Sequence, residues 1–196
     1  CSAMSIKHLG EHFDMHAGGI DLIFPHHENE IAQSEASTNK KFVNYWIHNE
    51  HLLVGNHKMS KSLGNFYTLR DLLNKGFKPM AIRYLLLSSN YRQQLNFTFE
   101  GVKAAENSVQ RLNDFILNLK SIKNEFNNKN IPKLIQKTKT EFEKAMDDDL
   151  EMSAALSTIF VFIKHANVLL RSNKVSSNDA KKIKSVLFEF RENDLV

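Results

Sequence analysis

Lys58, Met59, Ser60, Lys61 and Ser62, followed by Leu63, Gly64 and Asn65, place two ammonium groups, two hydroxyls and a turn within eight positions. That combination suits a polyphosphate. Lysines act as point charges for phosphate oxygens, small serines let backbone N–H groups face an anion, and Gly64-Asn65 supplies turn chemistry. A second cluster lies upstream. In the run from Pro25 to Glu30, His26 and Glu30 are four apart and share one helix face, whereas His27 has Ile31 at its fourth position and Glu28 falls on another flank. Cys1 offers a thiolate as a third donor, and imidazole, thiolate and carboxylate together suit tetrahedral Zn2+ better than hard, oxygen-loving cations. Each pattern has an ordinary alternative. A two-lysine loop can be plain solvated surface, a His and a Glu four apart can be a surface pair, and an early cysteine can simply be buried. His12 and His16 repeat the spacing, but Phe13 to Gly19 reads as strand and turn, where such residues do not converge.

The elements that must hold these residues fall into two regions. Eight of the nine His precede Gly76, and six of the seven Gly lie at or before it. Up to about residue 66, short apolar runs alternate with turns: Phe13 to His16 before Ala17-Gly18-Gly19, Leu22 to Phe24 before Pro25, and Leu52 to Val54 before Gly55. This predicts α/β architecture, with Pro25 opening a short helix through Ala36. From Thr68, which can cap a helix with Asp71, the period becomes helical, and Pro79 opens a further helix through Leu87. Val102, Ala105, Val109, Leu112, Phe115, Ile116 and Leu119 mark one apolar face, and similar faces run from Leu134 to Met146, Leu150 to Leu170 and Ala180 to Phe190. Asn124 to Asn130 and Ser172 to Asn178 read as polar connectors. An antiparallel helical bundle appended to a partial α/β domain is the simplest arrangement.

The 196 residues suffice for a buried core and leave room for two domains. No run is read as long and apolar enough to span a membrane, the most apolar stretch being Ala154 to Ala166. Twenty-six basic against 22 acidic residues permit an anionic partner. One cysteine excludes an intramolecular disulfide and fits a reducing compartment, so a cytoplasmic location is expected.

The Lys58 to Ser62 string resembles the signature loop of class I aminoacyl-tRNA synthetases. CSAM at Cys1 to Met4, FDMHAGG at Phe13 to Gly19 and DLIFPHHENEIAQSEA at Asp21 to Ala36 resemble the central block of the cysteinyl-tRNA synthetase family. VNYWIHN at Val43 to Asn49 and AIRYLLLSSNYRQQLNFT at Ala81 to Thr98 extend the likeness. AMDDDLEMSAAL at Ala145 to Leu156 departs from it at Glu151, Met152 and Ser153, which leaves Asp147 to Asp149 as helix-capping acids. Ala17 stands where a third glycine is usual, and His57 where an acid is common.

The resemblance implies part of a Rossmann-like class I catalytic domain over residues 1–67, connecting helices over 68–98 and a tRNA-binding all-α bundle over 99–196. It implies one zinc ion per subunit on Cys1, His26 and Glu30, with a fourth ligand from an upstream cysteine that this sequence does not contain. His16 and Asp21 would meet the substrate cysteine. Lys61 and Lys58 would be catalytic, binding ATP and its Mg2+ together with Ser60 and Ser62, while Gly55 and Gly64 flank the loop as hinges. The implied reaction is ATP-dependent activation of cysteine and transfer to tRNA(Cys) by a monomer free of any membrane. Lacking also the family's HIGH-type motif, the chain is read as a fragment not expected to activate cysteine alone. Arg83, Tyr91 and Arg92 are expected to face tRNA. Two alternatives stay open: a related ligase joining cysteine to an amino sugar, and a helical tRNA-binding module without catalysis.

Overall fold

The computed structural model describes residues 1–125 and 128–192. α1 (Ser2–Leu9) leads into β1 (Phe13–Gly19), an irregular helical passage over Ile20–Leu22 and Ile23–His27, then α2 (Glu28–Thr38) and β2 (Val43–Asn49). β1 and β2 pair in parallel, with His16 opposite Trp46 and Gly18 opposite His48. Parallel strands need a crossover of a dozen or more residues, which α2 and its flanks supply. Buried Phe42 anchors the unit, meeting the Phe13 ring edge-on at 5.0 Å. Leu22 to Phe24, read as strand or loop, turns helically instead, and the extended backbone of Phe24 (φ −131°, ψ 131°) marks the kink before α2. Met15 and Tyr45 face each other in the register yet stay exposed, although parallel sheets are ordinarily covered on both faces.

A second sheet leads into the loop that holds Lys58 to Ser62. β3 (Leu53–Val54) pairs antiparallel with β4 (His57–Lys58) and parallel with β5 (Asn96–Phe97). Gly55 (φ 58°) and Asn56 (φ 64°) form the two-residue turn between β3 and β4, where two left-handed residues match the strand twist. The Asn56 N–H donates to Asn96 Oδ1, and Asn96 Nδ2 donates to Asn56 Oδ1, both at 2.8 Å. Gly55, read as a hinge, therefore sits in a turn pinned to β5.

α3 (Leu69–Asn74) starts with the Thr68/Asp71 capping box expected from the sequence, Asp71 N–H donating to Thr68 Oγ1 at 3.2 Å and Thr68 N–H to Asp71 Oδ2 at 2.8 Å. α4 (Pro79–Leu87) opens on its proline. These helices enclose a small core of Leu72, Ala81, Ile82, Leu85, Phe97, Val102 and Ala105. α5 (Phe99–Lys120), α6 (Asn130–Asp147), α7 (Met152–Arg171) and α8 (Ser177–Glu192) form the bundle. Its core includes Leu112, Phe115, Ile131, Phe142, Ile159, Phe162 and Ile183, with Phe142 and Phe190 stacked at 4.3 Å. The connector read over 124–130 contains residues 126 and 127, which lie outside the described residues. The second connector is shorter than read: Ser176 caps α8 and pairs reciprocally with buried Asp179.

Two readings of the bundle need correction. α7 is, by length and composition, apolar enough to cross a bilayer, a property the sequence reading missed by stopping at Ala166. Here it buries Met152, Ala155, Leu156, Ile159, Phe162, Ile163 and Ala166 against the other helices, and so serves as a core helix. Asp149, read as a capping acid, reaches back to the loop after α4. Tyr91 Oη donates to Asp149 Oδ1 at 2.6 Å, and the Arg92 guanidinium binds both carboxylate oxygens while lying 5.0 Å over the Tyr91 ring. The Arg92 bond, then that of Tyr91, holds the Asp149 carboxyl below its ordinary pKa. Asn90 Nδ2 adds a bond to Glu151 Oε2 at 2.9 Å. Tyr91 and Arg92 thereby tie the α6–α7 corner to the segment paired with β3.

Candidate metal centre and phosphate loop

The first turn of α1 hangs from Cys1, whose carbonyl accepts from Met4 N–H at 2.9 Å and Ser5 N–H at 3.0 Å. Ser2 Oγ donates to Gln33 Oε1 at 2.8 Å, docking α1 on α2. Cys1 is thus delivered to the start of α2, where the ligand atoms of Cys1, His26 and Glu30 all lie within 4.8 Å of one another. His26 Nε2 and Glu30 Oε2 are 3.7 Å apart. Cys1 and His26 are exposed, whereas Glu30 is 3% exposed. The structure therefore brings together the three residues the sequence singled out.

It also brings two more. His16 Nε2 lies 3.0 Å and His27 Nε2 3.8 Å from the same Glu30 Oε2. Helical spacing alone makes His27 the poorer candidate, yet it is buried and i,i+3 from Glu30. His16, read as lining an amino-acid pocket, stands in β1 with its ring against Trp46 and His27, each centroid 4.9 Å away. His48, unremarked in the sequence, bonds through Nε2 to His27 Nδ1 at 2.8 Å and stacks parallel to Trp46. His12 bonds the Lys41 carbonyl instead and takes no part, as expected.

Despite these neighbours, neither Glu30 oxygen makes a hydrogen bond among the described residues. The nearby ring nitrogens are close but not directed at it. A buried carboxylate without donors is costly. Imidazole nitrogens and a thiol converging on an orphaned carboxylate fit a borderline-soft divalent ion such as zinc, which would satisfy Glu30 and neutralise it. Burial, aided by the neighbouring His16 ring, lowers the His27 pKa and keeps this imidazole in the neutral form that binds metals, against the opposing pull of Glu30.

Gly18 makes the room His27 needs. A Cβ there would lie 2.6 Å from His27 Cε1 and 2.9 Å from Leu22 Cδ1. Gly18→Ala is expected to destabilise the fold by about 1–3 kcal/mol, because the buried, hydrogen-bonded ring must give way. At Gly19 the clash is with the exposed Asp21 carboxylate, 2.5 Å from the added Cβ, and a flexible side chain yields easily. Thermal melts should place Gly18→Ala well below Gly19→Ala; equal midpoints would contradict the packing argument. Asp21 itself lies outside the metal-ligand cluster, folded back over Gly19.

The candidate phosphate loop, Lys58 to Asn65, holds its shape through small side chains. Asn65 Oδ1 accepts from Ser60 N–H at 2.9 Å and its Nδ2 donates to the Lys58 carbonyl at 3.2 Å, bridging the loop. Ser60 Oγ accepts from Leu63 N–H at 3.2 Å and lies 3.2 Å from Ser62 Oγ. Gly64 (φ 66°) closes the turn by donating to the Lys61 carbonyl at 3.2 Å. Lys58 and Lys61 stay exposed, with the Lys61 ammonium 5.6 Å over the Phe66 ring.

The family profile described as tRNA synthetases class I (C) catalytic domain matches residues 1–107, and that of the DALR domain matches 141–193. The chain is 52% identical over 190 residues to a cysteine–tRNA ligase of Protochlamydia amoebophila, spanning 97% of this chain and 40% of that protein. It is 54% identical over 183 residues to the Brachyspira hyodysenteriae ligase of the same name, 92% of this chain and 39% of that one. It thus spans about two fifths of the length of these relatives. Among solved structures, LeuRS in the Agrobacterium radiobacter K84 agnB2 LeuRS-tRNA-LeuAMS complex shares the fold at a TM-score of 0.66 and 18% identity, covering 88% of this chain and 24% of that one.

Proposed function

Because the chain belongs to the class I (C) tRNA synthetase catalytic-domain family, we propose that it is part of a cysteine–tRNA ligase, which activates cysteine with ATP and transfers it to tRNA(Cys). The observation that carries the cysteine specificity is the convergence of Cys1, His26 and Glu30 within 4.8 Å around a carboxylate with no hydrogen bond. Cysteine and serine differ by one chalcogen, and shape alone separates them poorly. A zinc ion held by these three residues would supply a soft Lewis acid that prefers a thiolate to a hydroxyl. Glu30, buried and fixed on α2, orients the set and offsets the ion's charge. His16 lines the amino-acid side of the cluster, and Asp21 accepts from the substrate ammonium group.

Lys61, assisted by Lys58 and the Mg2+ that accompanies ATP, neutralises charge growing on the phosphate oxygens as the cysteine carboxylate attacks. Ser60 and Ser62 present the loop backbone to the polyphosphate. The bundle orients tRNA through backbone phosphates, residues 1–67 forming the catalytic unit, 68–98 the connection and 99–196 the tRNA-binding unit. We assign the ligase to the cytoplasm as a monomer, the one cysteine of this chain being in keeping with a reducing compartment. Relatives named cysteine–tRNA ligase near 50% identity support tRNA over an amino sugar as acceptor. The test is ATP–pyrophosphate exchange by a full-length protein containing this chain. Exchange stimulated by cysteine and not by serine is expected, with none from the 196 residues alone; equal stimulation by serine would end the reading.

A further inference from the structure

We propose that His16, His27 and Glu30 form a second divalent-cation site, inward of the Cys1, His26 and Glu30 set, that takes one borderline ion without any thiolate. The ligand atoms of this inner triad also lie within 4.8 Å of one another. Ligands about 2.0–2.1 Å from a tetrahedral ion sit roughly 3.3–3.4 Å apart. The separations from Glu30 Oε2, 3.0 Å to His16 and 3.8 Å to His27, bracket that spacing, and the His16–His27 edge lies within the 4.8 Å that contains the whole triad. At 3.0 Å a ring nitrogen ordinarily hydrogen-bonds a carboxylate, yet none does here. Ligands that share an ion aim their lone pairs at it and not at one another, which accounts for the misalignment.

The inner triad is also the better supported of the two. His27 and Glu30 are buried and His16 half-buried, while Cys1 and His26 are exposed. His27 has an outer partner, its Nδ1 lying 2.8 Å from His48 Nε2; in the tautomer whose Nδ1 donates to His48, the His27 Nε2 lone pair is free on the Glu30 side. His48 is fixed by its register opposite Gly18 and by stacking on Trp46, so the tautomer-setting group is itself rigid. Two imidazoles and one carboxylate suit Zn2+, Co2+ or Ni2+; Ca2+ and Mg2+ require more oxygen. Because Glu30 belongs to both sets, an inner ion draws on the carboxylate that the outer one needs, and it engages His16.

Cobalt titration of this chain decides the matter. In the Cys1→Ser chain we expect one Co2+ to remain bound, with visible ligand-field absorption and no near-ultraviolet thiolate-to-cobalt band. In that background His16→Ala, at a half-exposed strand position, should weaken binding at least about tenfold, and His27→Ala likewise, with far-ultraviolet circular dichroism unchanged for His16→Ala. His26→Ala should leave the affinity within a few-fold. No Co2+ on the Cys1→Ser chain, or less than a tenfold loss from His16→Ala, would overturn the inner site. The thiolate band of the unsubstituted chain reports the outer set separately, so failure of either site is distinguishable from failure of the other.

Discussion

Glu30→Ala is expected to remove high-affinity zinc binding while leaving the metal-free fold as stable as before, or more so. Glu30 is the one residue common to Cys1, His26, Glu30 and to His16, His27, Glu30, so its loss deprives either ion of its only anionic oxygen. Loss of an outer partner of a metal ligand typically lowers affinity 10–100-fold, and loss of the ligand itself should exceed that, about 10²-fold or more. The stability half of the prediction separates metal chemistry from structure. If Glu30 served only as an ion-pair partner for His16, truncating it would destabilise the chain. A carboxylate that is 3% exposed and makes no hydrogen bond instead burdens the metal-free state. At zinc 100-fold above its dissociation constant, the parent should gain about 2.7 kcal/mol, roughly 5–10 °C in melting midpoint for a chain this long. Glu30→Ala should show almost none of that gain. Matched melts with and without zinc, together with metal content by mass spectrometry, check both halves, and equal zinc content would remove Glu30 from the ligand set.

The His26/Glu30 pair of the outer triad was legible because helical backbone runs from His26, at the end of the irregular passage, into the first turn of α2 and leaves the two residues four apart. The inner one was not, and the reason is geometric. Residues three and four apart both neighbour Glu30, lying at opposite angular offsets from it, so helical periodicity cannot choose between His27 and His26. His16 and His48 arrive through the parallel register of β1 and β2, in which His16 stands opposite Trp46 and Gly18 opposite His48. No local spacing encodes that pairing. The bundle was readable from its three- and four-residue apolar steps, and α3 from the Thr68/Asp71 box. Ser176 and Asp179 spell the same signature before α8 and were passed over inside a polar stretch, although the signal was there. Asp149 shows the other limit. A short run of acids ahead of an apolar helix reads as capping, but Asp149 (φ 53°) and Leu150 (φ 56°) turn the chain left-handed, and the carboxylate meets Tyr91 and Arg92 nearly sixty residues upstream. Sequence shows which charges exist; only the fold shows which of them meet.

Lys61→Ala, in a full-length protein containing this chain, is expected to lower kcat for cysteine-dependent pyrophosphate exchange by about 10²–10³-fold, equivalent to ~2.7–4 kcal/mol of transition-state stabilisation. The loop's architecture makes this a clean removal. Its shape depends on Asn65 bridging Ser60 N–H and the Lys58 carbonyl, on Ser60 Oγ capping Leu63 N–H, and on Gly64 closing onto the Lys61 carbonyl. None of these uses the Lys61 side chain, which makes no ion pair among the described residues and rests over Phe66 at 5.6 Å. The melting midpoint should therefore hold, and KM for cysteine, which under the proposed function meets the metal cluster and not this loop, should change little. Phe66→Leu separates the resting contact from the catalytic one. It removes the ring but keeps the ammonium, an exposed cation–π contact is worth only about 0.5–1 kcal/mol, and exchange should fall at most about fivefold. Lys61→Arg should recover part of the rate, since it restores the charge but presents a planar fork where a compact ammonium stood. A cation that stabilises charge developing on phosphate must act on kcat. A rise in KM for ATP at unchanged kcat would instead make Lys61 a binder of ground-state nucleotide and shift the catalytic burden to Lys58.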